Sequence, residues 1–260
     1  MEPMTIREIM DAVGGKLLGE FGDINRMVGR VETDSRTIHA GSLFVPLVGE
    51  RFDGHAYINA ALEGGAAGCF TQRERESYLP GKFYIKVDST QRALRDLAKY
   101  YKKKFPIPVV ALTGSVGKTT TKDMVAAVLG EKYRVLKTEG NLNNEIGVPM
   151  TLLRLSGEHE IAVLELGMNH AGEIDYLSAL VEPDVVLMTN IGDSHIEHFG
   201  SREKILEAKS EIFHHVKSGA FVVINGDDPL LNTLPGKLPY AFTRVRSEER
   251  RVGKECRSRW

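Results

Sequence analysis

The sequence predicts an α/β protein of two units: a small N-terminal α/β unit, then a larger phosphate-loop (P-loop) unit with a mostly parallel sheet. Three observations carry that expectation. An apolar run, a glycine turn ending in Lys-Thr and a helix-like stretch follow one another over residues 107–129, the strand–loop–helix order of a phosphate cradle. Strand-like and helix-like segments then alternate as far as residue 224, which implies a parallel sheet covered by helices. The chain has 260 residues, 42% hydrophobic and 27% charged, enough for two cores of ordinary globular composition.

In the N-terminal unit, residues 1–88, the apolar segments 42–48, 66–71 and 83–87 read as strands and 56–63 as a helix. Residues 90–104 read as a longer helix with Leu94, Leu97, Ala98 and Tyr101 on one face, and Pro106 and Pro108 end it. The junction therefore falls within 88–106, and the second unit is taken as 89–244. It opens with a buried strand at 107–112 and a helix at 122–129. Strands at 134–138, 161–166, 184–189 and 220–224 then alternate with helices at 148–155, 173–181 and 201–216. A sheet of this kind binds ligands at the carboxyl ends of its strands.

A formal net charge of −1 offers no field for nucleic acid or an anionic membrane. No apolar run approaches the ~20 residues that cross a bilayer, and the N-terminus lacks the regions of a signal peptide. A cytoplasmic location without membrane insertion is expected. Cys69 and Cys256 are too few for a disulfide framework or a metal cluster, and Cys69 reads as a core residue. Residues 245–260 carry six basic and three acidic side chains with almost no apolar period. They read as a non-native tail joined to a truncated gene, a basic interaction tail being the alternative.

The chemistry concentrates at the strand ends. In Thr113-Gly114-Ser115-Val116-Gly117-Lys118-Thr119-Thr120 the two glycines let backbone N–H groups converge on phosphate oxygens at the positive end of a helix. Lys118 would bring a point charge to the β- and γ-phosphates, and the Thr119 hydroxyl would sit on the bridging Mg²⁺. The bland alternative is a solvated glycine turn with a surface lysine. Glu165 closes an apolar strand as either a Mg²⁺ ligand or a cap of the next helix. His195 lies in the loop after another strand, able to reach a metal or a phosphate. His198, three residues on, invites zinc, but no further ligands complete a tetrahedral set. Asn141, Asn143 and Asn144 suit either oxygen positioning or local loop caps, and Asn225-Gly226-Asp227-Asp228 carries the same ambiguity.

Four ordered stretches, Thr-Gly-Ser-Val-Gly-Lys-Thr-Thr-Thr-Lys at 113–122, Asn-Leu-Asn-Asn-Glu-Ile-Gly-Val-Pro at 141–149, Glu-Leu-Gly-Met-Asn at 165–169 and Ala-Lys-Ser-Glu-Ile-Phe at 208–213, resemble the Mur ligase family, over residues 1 to about 244. The resemblance implies an ATP-dependent ligase of peptidoglycan synthesis with ATP and Mg²⁺ as cofactors. Thr113 to Thr120, with Asn143 and Asn144, would bind ATP. Thr119 and Glu165 would hold one Mg²⁺ and His195 a second. Lys209 looks like the family's carbamylated lysine, an oxygen donor to the metal, and Lys118, Lys209 and His195 would form the catalytic set. Asp34, Ser35 and Arg36, followed by Gly-Ser-Leu-Phe-Val-Pro at 41–46, resemble the part that receives the UDP-sugar substrate.

The implied substrates are UDP-N-acetylmuramoyl-tripeptide and D-alanyl-D-alanine, joined through an acyl phosphate by a protein expected to be a monomer. Addition of diaminopimelate or lysine by a sister enzyme stays open, as does a non-catalytic ATP-binding remnant. The family carries a third, Rossmann-like C-terminal domain, which the sequence is expected to lack. On that expectation the chain binds nucleotide weakly and does not complete ligation.

Overall fold

The computed structural model describes residues 1–49 and 52–247, and two sheets share one apolar core within them. The chain opens with helix α1 (Ile6–Val13), which the sequence reading passes over although Ile6, Ile9, Met10 and Val13 fall at helical spacing. A capping box starts it: the Glu8 N–H donates to Thr5 Oγ1 (3.1 Å), and the Thr5 N–H donates to the Glu8 carboxylate (2.8 Å). Strands β1 (Lys16–Leu18), β2 (Val31–Glu32) and β3 (Leu43–Phe44), helix α2 (Ile58–Glu63), and strands β4 (Gly68–Thr71) and β5 (Phe83–Lys86) complete the N-terminal unit. The sheet order is β1-β5-β4-β3-β2, with β1 antiparallel and the other pairings parallel. The strand expected over 42–48 is cut short, because Pro46 has no N–H to give a ladder. Val48–Gly49 pairs separately with Phe52–Asp53.

Helix α3 (Thr90–Lys102) joins the units, with Ser89 accepting the Arg92 N–H as its N-cap. Its buried Leu94, Leu97, Ala98 and Tyr101 lie in the core shared by both sheets. The Tyr101 hydroxyl donates to Leu155 O and accepts the Glu2 N–H, both at 2.6 Å, and so ties the chain's start to the second unit.

That second unit runs β6 (Val109–Thr113), α4 (Lys118–Gly130), β7 (Val135–Lys137), α5 (Gly147–Leu152), β8 (Ile161–Glu165), α6 (Glu173–Val181), β9 (Val185–Met188), α7 (Ile196–Phe199), α8 (Arg202–Ser210), β10 (Phe221–Asn225) and β11 (Phe242–Val245). The order β7-β8-β6-β9-β10-β11 is parallel throughout. Because β6 lies between β8 and β9, the loop after it is flanked by Glu165 on one side and by residues 189–195 on the other.

Three boundaries differ from the sequence reading. Helix α4 begins at Lys118 rather than at 122, because its first turn, Lys-Thr-Thr-Thr, is polar and shows no apolar period. The helix expected over 201–216 stops at Ser210 and tightens into a 3₁₀ turn, Glu211–Phe213. There the Glu211 carboxylate accepts N–H groups of Gly172 and Asp175 at the start of α6, and Ser178 Oγ donates to Ile212 O (2.8 Å). The segment read as a tail from Val245 begins inside the fold: Val245 ends β11 opposite Asn225, and the Ser247 N–H and Oγ both donate to Asp227 Oδ2. The remainder of that segment, 248–260 with Cys256, lies outside the described residues. Cys69 is buried, and burial pushes its thiol pKa up. Among the described residues no helix is long and apolar enough to cross a membrane.

Candidate functional site

The loop between β6 and α4 turns on two glycines, Gly114 at φ 152° and Gly117 at φ 78°. A Cβ on Gly114 would stand 1.9 Å from Thr189 Oγ1, so no larger residue fits. Helix α4 begins immediately after Gly117, and the N–H groups of its first turn have no acceptor within the helix. These groups and the helix dipole together form an anion site. The Lys118 ammonium is folded back, donating to Gly114 O (3.0 Å) and Ser115 O (3.5 Å). Burial holds its pKa below the usual lysine value, with the carboxylate of Glu165 acting in the opposite direction. Thr113 ends β6 fully buried, and among the described residues its hydroxyl has no hydrogen-bond partner.

Glu165 ends β8 with 1% of its surface exposed. Thr119 Oγ1 donates to Oε2 (2.9 Å), and Asn143 Nδ2 donates to Oε1 (2.7 Å). Its own N–H donates to Thr138 Oγ1 (3.0 Å). Of the two roles open for Glu165, the helix cap is taken by other groups: the start of α6 uses Glu211, and the Asn169 N–H donates to Glu173. Asn143 is itself fixed, since its carbonyl accepts the Gly167 N–H (2.8 Å) and a Cβ on Gly167 would press on its side chain at 2.8 Å. Asn144 is used differently. Its Oδ1 accepts the N–H groups of Ile146 (3.2 Å) and Gly147 (2.8 Å), bonds that start α5 rather than face Glu165.

His195 has a left-handed backbone, φ 68°, and stands at the start of α7. Burial lowers its pKa first, and the charges of Lys209 and Lys118 lower it further. Lys209, in α8, is 1% exposed, and its pKa falls to about 8, mainly by burial and next by the charge of Lys118. The charges of Lys118 and Lys209 both reach His195, and that of Lys118 reaches Lys209, so the three lie close enough for their charges to act on one another's titration. His198 stands with Nε2 3.9 Å from Glu197 and its ring 5.4 Å from that of His170. Among the described residues no group of three or more His, Cys, Asp or Glu is placed to hold a metal ion, so the zinc alternative finds no ligand set there.

Asp34, Ser35 and Arg36 lie in the N-terminal unit at a 3₁₀ turn. Asp34 accepts the Arg36 N–H (2.9 Å) and receives its guanidinium on both oxygens (2.9 and 2.7 Å), which holds the Asp34 carboxyl down to about 2. A cleft of about 400 Å³ opens beside them, lined in part by Phe52 and Tyr57, whose rings stack on each other with centroids 5.5 Å apart. The sequence reading places Tyr57 in the helical segment 56–63 and Phe52 in no element, and nothing in it pairs the two rings. A second cleft, about 470 Å³, lies at the carboxyl ends of β9, β10 and β11 next to Thr121 of α4, lined by Leu187, Val223, Asn225 and Arg246.

Comparison with known proteins agrees with this geometry. Residues 28–102 match the description "Mur ligase family, catalytic domain", and residues 112–251 match "Mur ligase middle domain". The chain is 46% identical over 227 residues to the UDP-N-acetylmuramoyl-tripeptide–D-alanyl-D-alanine ligase of Bacillus subtilis, covering 87% of this chain and 50% of that protein. It is 42% identical over 228 residues to the Escherichia coli protein of the same name, covering 88% and 49%. Among solved structures, MurF from Acinetobacter baumannii superposes with a TM-score of 0.86 at 35% identity, over 94% of this chain and 53% of that one. MurF ligase from Thermotoga maritima, in complex with ADP, gives 0.74 at 36% identity, over 84% and 49%. The chain thus spans about half the length of the curated relatives it matches.

Proposed function

The chain belongs to the Mur ligase family, and from that premise we propose that it carries the ATP cradle and the UDP-sugar cleft of a cytoplasmic ligase joining D-alanyl-D-alanine to UDP-N-acetylmuramoyl-tripeptide. The observation that carries this reading is the convergence of the Thr119 hydroxyl and the Asn143 amide on one buried carboxylate, Glu165, beside a glycine loop. Hard oxygen donors of this kind fit Mg²⁺. Thr119 and Glu165 would hold the ion, which would supply positive charge to offset that of the phosphates.

The chain's own groups would then act as follows. The first turn of α4 binds the phosphates. Lys118 exchanges its two loop carbonyls for phosphate oxygens, and Asn143 keeps Glu165 oriented. The cleft beyond β9 and β10 takes the base, since in a sheet of this order the nucleotide runs from the loop across the following strand ends. Lys209, whose pKa of about 8 leaves part of it as the free amine near neutral pH, would add CO₂ through that amine to give a carbamate and a proton, and so would present an anionic oxygen donor. His195, held neutral by burial, keeps a nitrogen lone pair for a second cation. The cleft beside Asp34, Ser35 and Arg36 receives the UDP end of the substrate. No residue here is assigned to the incoming amine.

Calorimetric titration tests the reading with the chain as it stands. We expect binding of ATP·Mg²⁺ that Lys118→Ala abolishes, and binding of UDP-N-acetylmuramoyl-tripeptide in preference to the dipeptide. Preference for the dipeptide would instead favour a sister enzyme that adds the third residue. ATP affinity unchanged in Lys118→Ala would refute the cradle.

A further inference from the structure

We propose that Asn190 is a positioning residue of the nucleotide site, whose side-chain amide holds the glycine loop in its phosphate-receiving shape before nucleotide arrives. The inference rests on the reading of that loop as an ATP site. Asn190 lies just beyond β9, 74 residues from its partner in the chain. Its Oδ1 accepts the Val116 N–H (3.0 Å), its Nδ2 donates to Val116 O (3.2 Å), and its backbone carbonyl accepts the Ser115 N–H (2.9 Å). One side chain thus grips both peptide groups of one loop residue.

Neighbouring groups extend the seam. Thr189 Oγ1 donates to Val116 O (2.8 Å), the Gly192 N–H donates to Ser115 Oγ (2.9 Å), and Ser194 Oγ donates to Ser115 O (3.3 Å). Four residues of the segment that leads to His195, Thr189, Asn190, Gly192 and Ser194, are therefore bonded to the loop.

The loop needs such a latch. Val116 is 59% exposed, so packing does little to fix it. Its neighbours at 114 and 117 are glycines at positive φ, the residue type with most backbone freedom to lose. The latch consumes the N–H groups of Ser115 and Val116 only and leaves the first turn of α4 for phosphate. It also calls for an amide. Asn offers a donor and an acceptor together, whereas Asp would turn an acceptor toward Val116 O and bring a negative charge toward the phosphates. Without the latch, ordering the loop falls on nucleotide binding. Fixing the backbone of a single residue corresponds to roughly 5- to 30-fold in affinity.

The test compares wild type, Asn190→Ala, Asn190→Asp and Thr189→Val in the whole chain by calorimetry with ATP·Mg²⁺ and by amide hydrogen exchange. In the free wild type the Val116 amide should exchange slowly. In Asn190→Ala it should exchange fast until ATP is added, with ATP affinity reduced roughly tenfold, within the range set by loop ordering. Asn190→Asp should be no better, and Thr189→Val should lose about threefold, as the removal of a single neutral hydrogen bond implies. Retained binding of UDP-N-acetylmuramoyl-tripeptide certifies the fold of each variant. Should Asn190→Ala not fold, Thr189→Val decides alone. Wild-type affinity in the folded variants, or an unprotected Val116 amide in wild type, overturns the positioning role while leaving the ATP site standing. Failure of wild type to bind ATP·Mg²⁺ overturns both.

Discussion

Lys209 gives the sharpest quantitative test of the site. Its pKa in the folded chain is about 8, against 10.5 for an ordinary lysine, because burial and the Lys118 charge disfavour the ammonium. A folded-state pKa below the unfolded one means that the folded chain holds fewer protons between those two values. Wild-type stability should therefore rise with pH across that window, and the full penalty applies below pH 8. A depression of this size corresponds to roughly 3 kcal/mol at pH 7, and about 2 kcal/mol of it is relieved by pH 9.5.

Lys209→Met keeps the unbranched shape of the side chain, one atom shorter, and removes the charge, so the wild-type-to-variant gap isolates this one titration. In CO₂-free buffer the variant should melt higher at pH 7. Between pH 7 and 9.5 the gap should narrow by roughly 4–8 °C, taking 2–4 °C per kcal/mol for a chain of this size. Methionine's own packing adds a constant offset, so the change with pH is the diagnostic quantity. Bicarbonate should raise the wild-type midpoint, by placing an anion beside Lys118, and leave Lys209→Met unmoved. A gap of the same size at both pH values would refute the assignment of a strained ammonium.

Other expectations follow from the same geometry. Asn143→Ala leaves Glu165 Oε1 buried without its donor and should lower stability by about 1–3 kcal/mol, read from urea unfolding. Glu165→Gln should make ATP affinity insensitive to Mg²⁺ in paired titrations with and without the ion. Gly114→Ala forces a Cβ to within 1.9 Å of Thr189 Oγ1 and should cost about 1–3 kcal/mol by overpacking, with nucleotide binding lost; Thr189→Gly added to it should recover part of the stability.

Much of this was legible in the sequence where the determinants are local. The strand, glycine turn and helix around residues 109–130 announce themselves because apolar period, turn chemistry and charge fall within a short span. The two-residue strand β2 is too short to display a period, β3 is read only within the longer run 42–48, and α1 carries both a Thr5–Glu8 cap and helical apolar spacing at Ile6, Ile9, Met10 and Val13. The break at Ser210 depends on a carboxylate bonding a helix 39 residues away. Within the site, Glu165 and Lys118 stand out as polar residues at strand and loop ends. Asn143 and Asn144 do not separate by sequence, because the distinction rests on where Gly167 brings its backbone. Asn190 is hidden for the same reason: its partners lie in a loop far up the chain.

The electrostatics suggest why these long-range contacts are needed. Lys118, Lys209 and His195 all have their pKa lowered by burial, and Lys209 and His195 are lowered further by the neighbouring cations, while Glu165 stands as the carboxylate among them. An unliganded site with this excess of positive charge is unfavourable for the fold and favourable for polyanions. Lys118 relieves part of the strain by turning onto Gly114 O and Ser115 O, carbonyls that a phosphate can displace without moving the backbone. That exchange works only if the loop stays in place when the lysine leaves it. The Asn190 seam, made to Ser115 and Val116 and independent of Lys118, supplies that fixity. Charge excess and rigid loop are thus two parts of one arrangement: the first makes anion binding favourable, and the second keeps the ordering of the backbone from consuming the gain.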